Sequence, residues 1–296
     1  MQAILGAGGV GGLVGAIQAA EGEPVLLLLR PESLAAHPLS LTLESPLGGL
    51  HAPVATATRL ERPVELLWVT TKATQLEAAL AAVPNPELAG CVVPLLNGVD
   101  HVARLRARFG AEPVVPGTIA CEVERAGPGR IVHRSPFARF GFAAAGEARL
   151  ARAVERLTRF GCACRFEADE TTLLWRKLVM LAPMALATTA SGRAVGELWS
   201  DPAWSARFEA AAREACAVAR ALGAQVQVEE TVTMLRGFPA TLRSSMAKDV
   251  VAGRPPELDA IAGPILRGGA ALGIPVPATI SLAAMVEAVS RLGKSG

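Results

Sequence analysis

Ala3-Ile4-Leu5-Gly6-Ala7-Gly8-Gly9-Val10-Gly11-Gly12-Leu13-Val14 is the stretch that decides the fold. Three apolar residues that read as a strand run straight into a G-x-G-x-x-G pattern at Gly6, Gly8 and Gly11, and helical apolar spacing takes over to position 21. Strand, glycine turn and helix in that order make a weak pattern specific. Gly6 permits a tight turn, Gly8 lets the backbone approach a pyrophosphate, and Gly11 lets helix and strand pack closely, while the helix N-terminus favours negative charge. Gly6, Ala7, Gly8, Gly9, Val10 and Gly11 are therefore expected to cradle a dinucleotide.

Outward from this turn, apolar runs at 25–29, 64–70, 91–95 and 114–120 read as strands and alternate with helical stretches at 74–83 and 99–109. That alternation is the order of an α/β fold with a doubly wound parallel sheet and crossover helices. Positions 131–142, with Pro136 in the middle, read as an antiparallel pair near the sheet edge. A helix at 147–160 and a strand at 162–166 follow. Beyond Asp169 every apolar repeat is helical, at 171–190, 202–222, 226–235, 241–251, 257–272 and 278–292. The expected organisation is a nucleotide-binding domain at 1–167 and an all-helical domain at 168–296. Gly293-Lys294-Ser295 mimics the end of a phosphate loop, but position 288 is alanine and no strand precedes it, so it is discarded.

Composition removes other classes. The 296 residues are 51% hydrophobic, enough to bury the cores of about two domains. A net charge of +2 and 4% aromatics supply neither the basic excess nor the stacking platform of a nucleic-acid binder. The apolar run at 178–190 contains Pro183 and is shorter than the roughly 20 residues of a span, so it reads as a core helix and no membrane association is expected. No basic segment with an apolar signal core is read ahead of the first strand. The five cysteines (Cys91, Cys121, Cys162, Cys164 and Cys216) are odd in number and mostly scattered, which fits a reduced cytoplasm. Cys162 and Cys164 have no second Cys or His pair at ligand spacing, so no metal is expected.

Two scarcities narrow the chemistry. With no tyrosine, a Tyr-x-x-x-Lys acid cannot exist. Only Lys72, Lys177, Lys248 and Lys294 interrupt an otherwise all-arginine cation set, and a lysine, unlike arginine, can lose and regain a proton. The second strand ends at Arg30, near the roughly 20-residue offset where an acidic residue would bind a ribose 2'-hydroxyl. A guanidinium there suits a 2'-phosphate, so NADP(H) is the expected cofactor; Glu32 lies beyond the Pro31 turn. Lys72 and Asn97-Gly98 follow strand C-terminal ends, where open α/β sheets bind ligands. Trp175-Arg176-Lys177-Leu178 places a lysine at the entrance of an apolar helix. It reads either as a snorkelling lysine at a domain boundary or as a general acid whose pKa is lowered by partial burial and nearby cations.

The glycine motif, Arg30, Thr71-Lys72, Asn97-Gly98, Trp175-Arg176-Lys177-Leu178, Ser244-Ser245-Met246 and Glu257-Leu258-Asp259, in this order and spacing, resemble the ketopantoate reductases over nearly the whole chain. The resemblance implies a Rossmann-type domain followed by a helical one, with a cleft between them. It also implies NADPH-dependent reduction of 2-dehydropantoate to pantoate, a step of pantothenate biosynthesis. Lys177 would donate the proton, Asn97 would orient substrate and nicotinamide, and Ser245 would bind the substrate carboxylate. Glu257 would contact cofactor and lysine, and Lys72 would support the cofactor side. Typical members carry asparagines four and eight residues beyond the lysine, on the helix face that meets the substrate; here those positions are Leu181 and Ala185, and the usual histidine before Asn-Gly is Leu96. Two alternatives follow: a reductase of a more apolar 2-keto acid, and a non-catalytic NADPH-binding redox sensor, against which Lys177 and Glu257 argue. A homodimer is a plausible assembly.

Overall fold

The computed structural model describes residues 1–292, so the Gly293-Lys294-Ser295 pattern lies outside the described residues. The chain begins β1 (Gln2–Leu5), α1 (Gly9–Ala20), β2 (Val25–Leu28), α2 (Pro31–Leu34), β3 (Ser40–Glu44), β4 (Leu50–Pro53), β5 (Ala55–Ala57) and β6 (Val64–Val69). It continues α3 (Leu76–Leu80), β7 (Ala89–Pro94), α4 (His101–Phe109), β8 (Gly117–Ala120), β9 (Val123–Gly127), β10 (Arg130–His133), β11 (Arg139–Ala143), α5 (Glu147–Arg159) and β12 (Ala163–Glu167).

The central sheet is parallel throughout, in the order β5-β2-β1-β6-β7. Its strands are buried on both faces, as covered parallel sheets require: Leu66, Leu67, Trp68 and Val69 of β6 are all fully buried. The order runs outward from β1 in one direction through β2 and β5, and in the other through β6 and β7. The turns leaving β1 and β6 therefore diverge, which makes their C-terminal ends the switch point where such sheets hold ligands. Glycines of α1 also let the strands β3 and β10, outside this central sheet, pack close against the helix. A Cβ on Gly12 would meet Ile131 Cδ1 at 2.2 Å, and one on Gly15 would meet Leu41 Cδ1 at 3.2 Å.

Two further sheets correct the reading of 131–142. β10 and β11 do not pair with each other. β10 joins the sheet β4-β3-β10-β9, parallel to β3 and antiparallel to β9, whereas β11 joins β12-β11-β8. The chain around Pro136 crosses from one sheet to the next instead of turning back as a hairpin. The strand expected at 114–120 is also shorter: Val114 makes only an isolated bridge to Val92, and β8 begins at Gly117.

The helices of the second half are α6 (Glu170–Ser191), α7 (Val195–Ser200), α8 (Pro202–Ala221), α9 (Val228–Arg236), α10 (Ser245–Val251), α11 (Leu258–Leu272) and α12 (Pro277–Leu292). Their caps are local chemistry. Asp201 accepts from the backbone N–H groups of Ala203 and Trp204 to start α8, and left-handed Gly273 ends α11. Leu178, Val179, Ala182, Ala185 and Leu186 of α6 are buried with Ala215, Cys216, Ile261 and Ile265. By length and composition α6 could cross a membrane, but 72% of its apolar window is buried inside the protein.

The chain divides into two compact units, one of Met1–Leu96 with His101–Leu173, the other of Asn97–Asp100 with the chain from Leu174 onward. The division thus falls six residues beyond position 167, within α6, and a four-residue loop following β7 groups with the helical unit.

Candidate active site

β1 delivers the chain to Gly6, whose φ of +103° strains any L side chain. A Cβ there would lie 2.7 Å from the Thr71 backbone nitrogen, so the turn sits directly against the end of β6. A Cβ on Gly11 would lie 2.3 Å from the Gly6 carbonyl oxygen and 2.4 Å from Thr70 Oγ1. Thr70 closes this contact by donating to the Gly6 oxygen at 2.8 Å. Gly9 is held as tightly, its notional Cβ 2.6 Å from the Val123 oxygen.

Gly8 is different. It is the N-cap of α1, and a Cβ on it would meet nothing within 4 Å. The first turn of α1 carries no acidic side chain and no side-chain cap, so its leading N–H groups are left for another acceptor. Nearby, Thr71 Oγ1 is buried without a hydrogen-bond partner. Uncapped N–H groups, open space at Gly8 and an unsatisfied hydroxyl fit an anionic pyrophosphate. Ala7 and Val10 are half-buried against the core beneath. The second strand ends at Leu28, two residues before Arg30, which instead caps α2 with its side chain 72% exposed and paired with Glu32 at 3.3 Å. Lys72 is half-buried just beyond β6, where the chain enters a short 3-10 turn at Ala73–Gln75.

In the helical unit three predicted residues meet. Lys177 Nζ donates to Asn97 Oδ1 at 3.0 Å, and Asn97 Nδ2 donates to Glu257 Oε2 at 3.2 Å. The amide orientation is dictated by chemistry, since an ammonium only donates and a carboxylate only accepts. Lys177 projects from α6, Glu257 is the N-cap residue of α11 and is 7% exposed, and Asn97 leads the four-residue loop. A half-buried lysine next to a fixed amide and a buried carboxylate is an arrangement that can hold a proton at a defined place and give it up to a substrate oxygen.

The other substrate candidates separate. Leu181, one turn beyond Lys177, is half-buried against the helical core. Ala185 has no exposed surface and packs inside that core, and its carbonyl accepts from Thr189 Oγ1 at 2.7 Å. The expectation that Ala185 meets substrate is corrected accordingly, because a residue with no exposed surface offers a ligand nothing to touch. Ser244 is buried as the cap of α10, accepting from the Ala247 N–H and bonded to Thr188 Oγ1 at 2.8 Å, which leaves neighbouring Ser245 exposed.

Asp100 and Arg267 were not singled out from the sequence, yet they tie the Asn97 loop to α11, with Asp259 as their neighbour. The available signal was the four-residue spacing of Asp259, Gly263 and Arg267 on one helix face. None of the five cysteines is in a disulfide, and burial pushes the thiols of Cys91 up to about 11 and Cys162 up to about 12, away from the thiolate a nucleophile needs.

Comparison with known proteins covers both halves. The family described as ketopantoate reductase PanE/ApbA matches residues 2–145, and its C-terminal part matches residues 170–290. A 2-dehydropantoate 2-reductase of Caulobacter vibrioides is 32% identical over 97% of this chain and 98% of its own length. One from Mycobacterium tuberculosis is 33% identical over 80% of this chain and 81% of its own. Among solved structures, a PanE/ApbA family ketopantoate reductase from Ralstonia eutropha JMP134 superimposes with a TM-score of 0.88 at 27% identity, covering 99% of this chain and 100% of that one. A D-mandelate dehydrogenase solved with NADH and anilino(oxo)acetate shares the fold, with a TM-score of 0.86 at 22% identity and 99% of each chain covered.

Proposed function

The chain belongs to the ketopantoate reductase family of pyridine-nucleotide-dependent oxidoreductases, and from that premise we propose that it reduces 2-dehydropantoate to pantoate with NADPH, using Lys177 as the general acid. The observation that carries the proposal is the hydrogen-bonded series Lys177, Asn97, Glu257. When bound, the dinucleotide supplies a hydride for the keto carbon. The keto oxygen then gains negative charge. Lys177, held by the Asn97 amide, stabilises that charge and delivers the proton. Glu257 fixes the amide so that its oxygen stays turned toward the lysine. Exposed Ser245 is assigned to the substrate carboxylate.

NADPH is proposed over NADH because Arg30 stands just past β2, at the start of α2, where its exposed guanidinium can exchange Glu32 for a 2'-phosphate. Gly6 to Gly11 hold the pyrophosphate, with Lys72 supporting the same side. The setting proposed is the cytoplasm, in keeping with five cysteines that form no disulfide.

Leu181 favours a second reading. A leucine one turn from the proton donor offers no hydrogen bond to a substrate hydroxyl, so a more apolar 2-keto acid would keep the mechanism and change the substrate. The deciding experiment is NADPH consumption with ketopantoate beside apolar 2-keto acids at matched concentrations. The first reading requires the highest kcat/KM for ketopantoate; a tenfold or greater preference for an apolar acid replaces it with the second. No keto-acid-dependent oxidation at all would defeat both.

A further inference from the structure

We infer that Arg267 is a positioning residue for the Lys177 site: it latches the loop of residues 97–100 onto α11 and thereby fixes Asn97 against the lysine. This rests on the proposed role of Lys177.

Asp259, Gly263 and Arg267 lie four apart on α11, one stripe of the helix surface. The Arg267 guanidinium reaches back across two turns. Nη1 donates to Asp259 Oδ1 at 2.6 Å, and Nη2 donates to Asp100 Oδ2 at 2.5 Å, on the loop. Gly263 lies beneath this path. A Cβ there would sit 2.3 Å from Arg267 Nη2 and 2.6 Å from Asp259 Oδ1, so the bare glycine is the lane in which the guanidinium rests. Glycine is a poor residue for a helix interior, and this contact gives its presence a reason.

The loop is seated by a second glycine. Gly98 has a φ of +84°, and a Cβ on it would lie 2.2 Å from the Ala260 carbonyl oxygen, so its backbone rests on the first turn of α11. Asn97 and Asp100 are the two ends of this seat. The inner end bonds Lys177 and Glu257, and the outer end is gripped by Arg267. Arg267 is held charged by its bond to Asp259 and by Asp100 beside it. The three charged side chains are substantially exposed, so a single pair would hold weakly; a planar fork that bridges two carboxylates on separate segments, confined to a glycine lane, is the geometry in which exposed pairs do matter.

The chain has four lysines, so protein labelled with 13C at the lysine ε-carbon gives four signals, and Lys177→Arg identifies the one from Lys177. In Arg267→Met the Lys177 signal moves while the other described lysines, Lys72 and Lys248, stay in place; Arg267→Lys, which adds a fifth signal of its own, brings it part of the way back, since a compact ammonium on a flexible stem lacks the rigid planar fork that spans the two carboxylates. With NADPH and the preferred keto acid, kcat of Arg267→Met falls roughly tenfold with KM within about twofold. Should Arg267→Met fail to fold, Asp100→Ala removes the outer grip alone and must move the same signal. A Lys177 signal unmoved in a folded variant, with kcat intact, overturns the latch. If the wild type turns over no keto acid, the catalytic reading fails, yet the Lys177 signal still decides whether the latch exists.

Discussion

At the proposed nucleotide end the working parts are backbone atoms, brought close together by Gly6 and Gly11 and left open at Gly8. At the chemical end they are side chains, with Asn97 joined to Lys177 across 80 positions and to Glu257 across 160. The two ends therefore fail in opposite ways. A site made of backbone is damaged by an added atom, and a site made of side chains is damaged by a removed one. The same contrast decides which parts tolerate change: Gly8 faces open space and Gly11 does not, whereas each member of the Lys177 series holds the next.

The largest effect expected is at the chemical end. Lys177→Ala removes the proposed proton donor and should lower kcat about 100- to 10,000-fold. NADPH affinity, measured by fluorescence titration, should change less than about threefold, because the glycine turn is built without that lysine. A variant retaining wild-type kcat would take Lys177 out of the chemistry.

The glycines sharpen the comparison within the nucleotide end. Gly11→Ala forces a methyl group to within 2.3 Å of the Gly6 oxygen, so it should destabilise the fold by about 1–3 kcal/mol in chemical denaturation as well as impairing NADPH binding. Gly8→Ala meets nothing within 4 Å. It should leave the melting temperature nearly unchanged while weakening NADPH roughly tenfold or more, about 1.4 kcal/mol. If both variants melt alike, the division between a packing glycine and a ligand-facing glycine is wrong.

Arg30→Ala tests selectivity at the same end. Losing charge-assisted bonds to a 2'-phosphate should raise the NADPH dissociation constant about 10- to 100-fold, with little change for NADH. Equal losses for the two nucleotides would remove Arg30 from that role and leave the preference for NADPH without a residue to explain it.

What could be read from the sequence follows the same line. β1, the glycine turn and α1 were legible because one local stretch changes its apolar period at a glycine cluster. The parallel strands β2, β6 and β7 were legible as continuous apolar runs. β3, β4 and β5 were not, for they are short and half-covered, and β3 finds its partner β10 almost ninety residues later. The pair expected at 131–142 misled because sequence neighbours usually pair, whereas here a proline crossing sends them into different sheets. Lys177 and Asn97 were legible singly, as a scarce lysine entering an apolar helix and an amide beyond a strand end, whereas Glu257 and the link among the three entered only through the resemblance to a family, since no spacing rule joins them. The Asp100 to Arg267 bond spans 167 positions and left only a helical Asp-Gly-Arg stripe to find it by. Ala185 was legible as apolar but not as buried, because helix periodicity puts it on the Lys177 face without revealing how far along that face the core begins.

That last point sets the smallest expected effect. On the face of α6 beyond Lys177, Leu181 keeps some exposed surface and Ala185 none, so of the two apolar replacements only Leu181 can act on a substrate directly. Leu181→Asn should raise kcat/KM for a hydroxylated 2-keto acid relative to an apolar one of similar size by roughly three- to tenfold, the range a single group commonly contributes in a pocket. Ala185→Asn should instead lower stability, because it forces an amide into a packed core without a partner, and it should leave the substrate ratio of the surviving folded enzyme unchanged. If Ala185→Asn shifts the ratio as Leu181→Asn does, the core boundary lies deeper along α6 than Ala185, and the side-chain end of the molecule extends one turn further than its packing indicates.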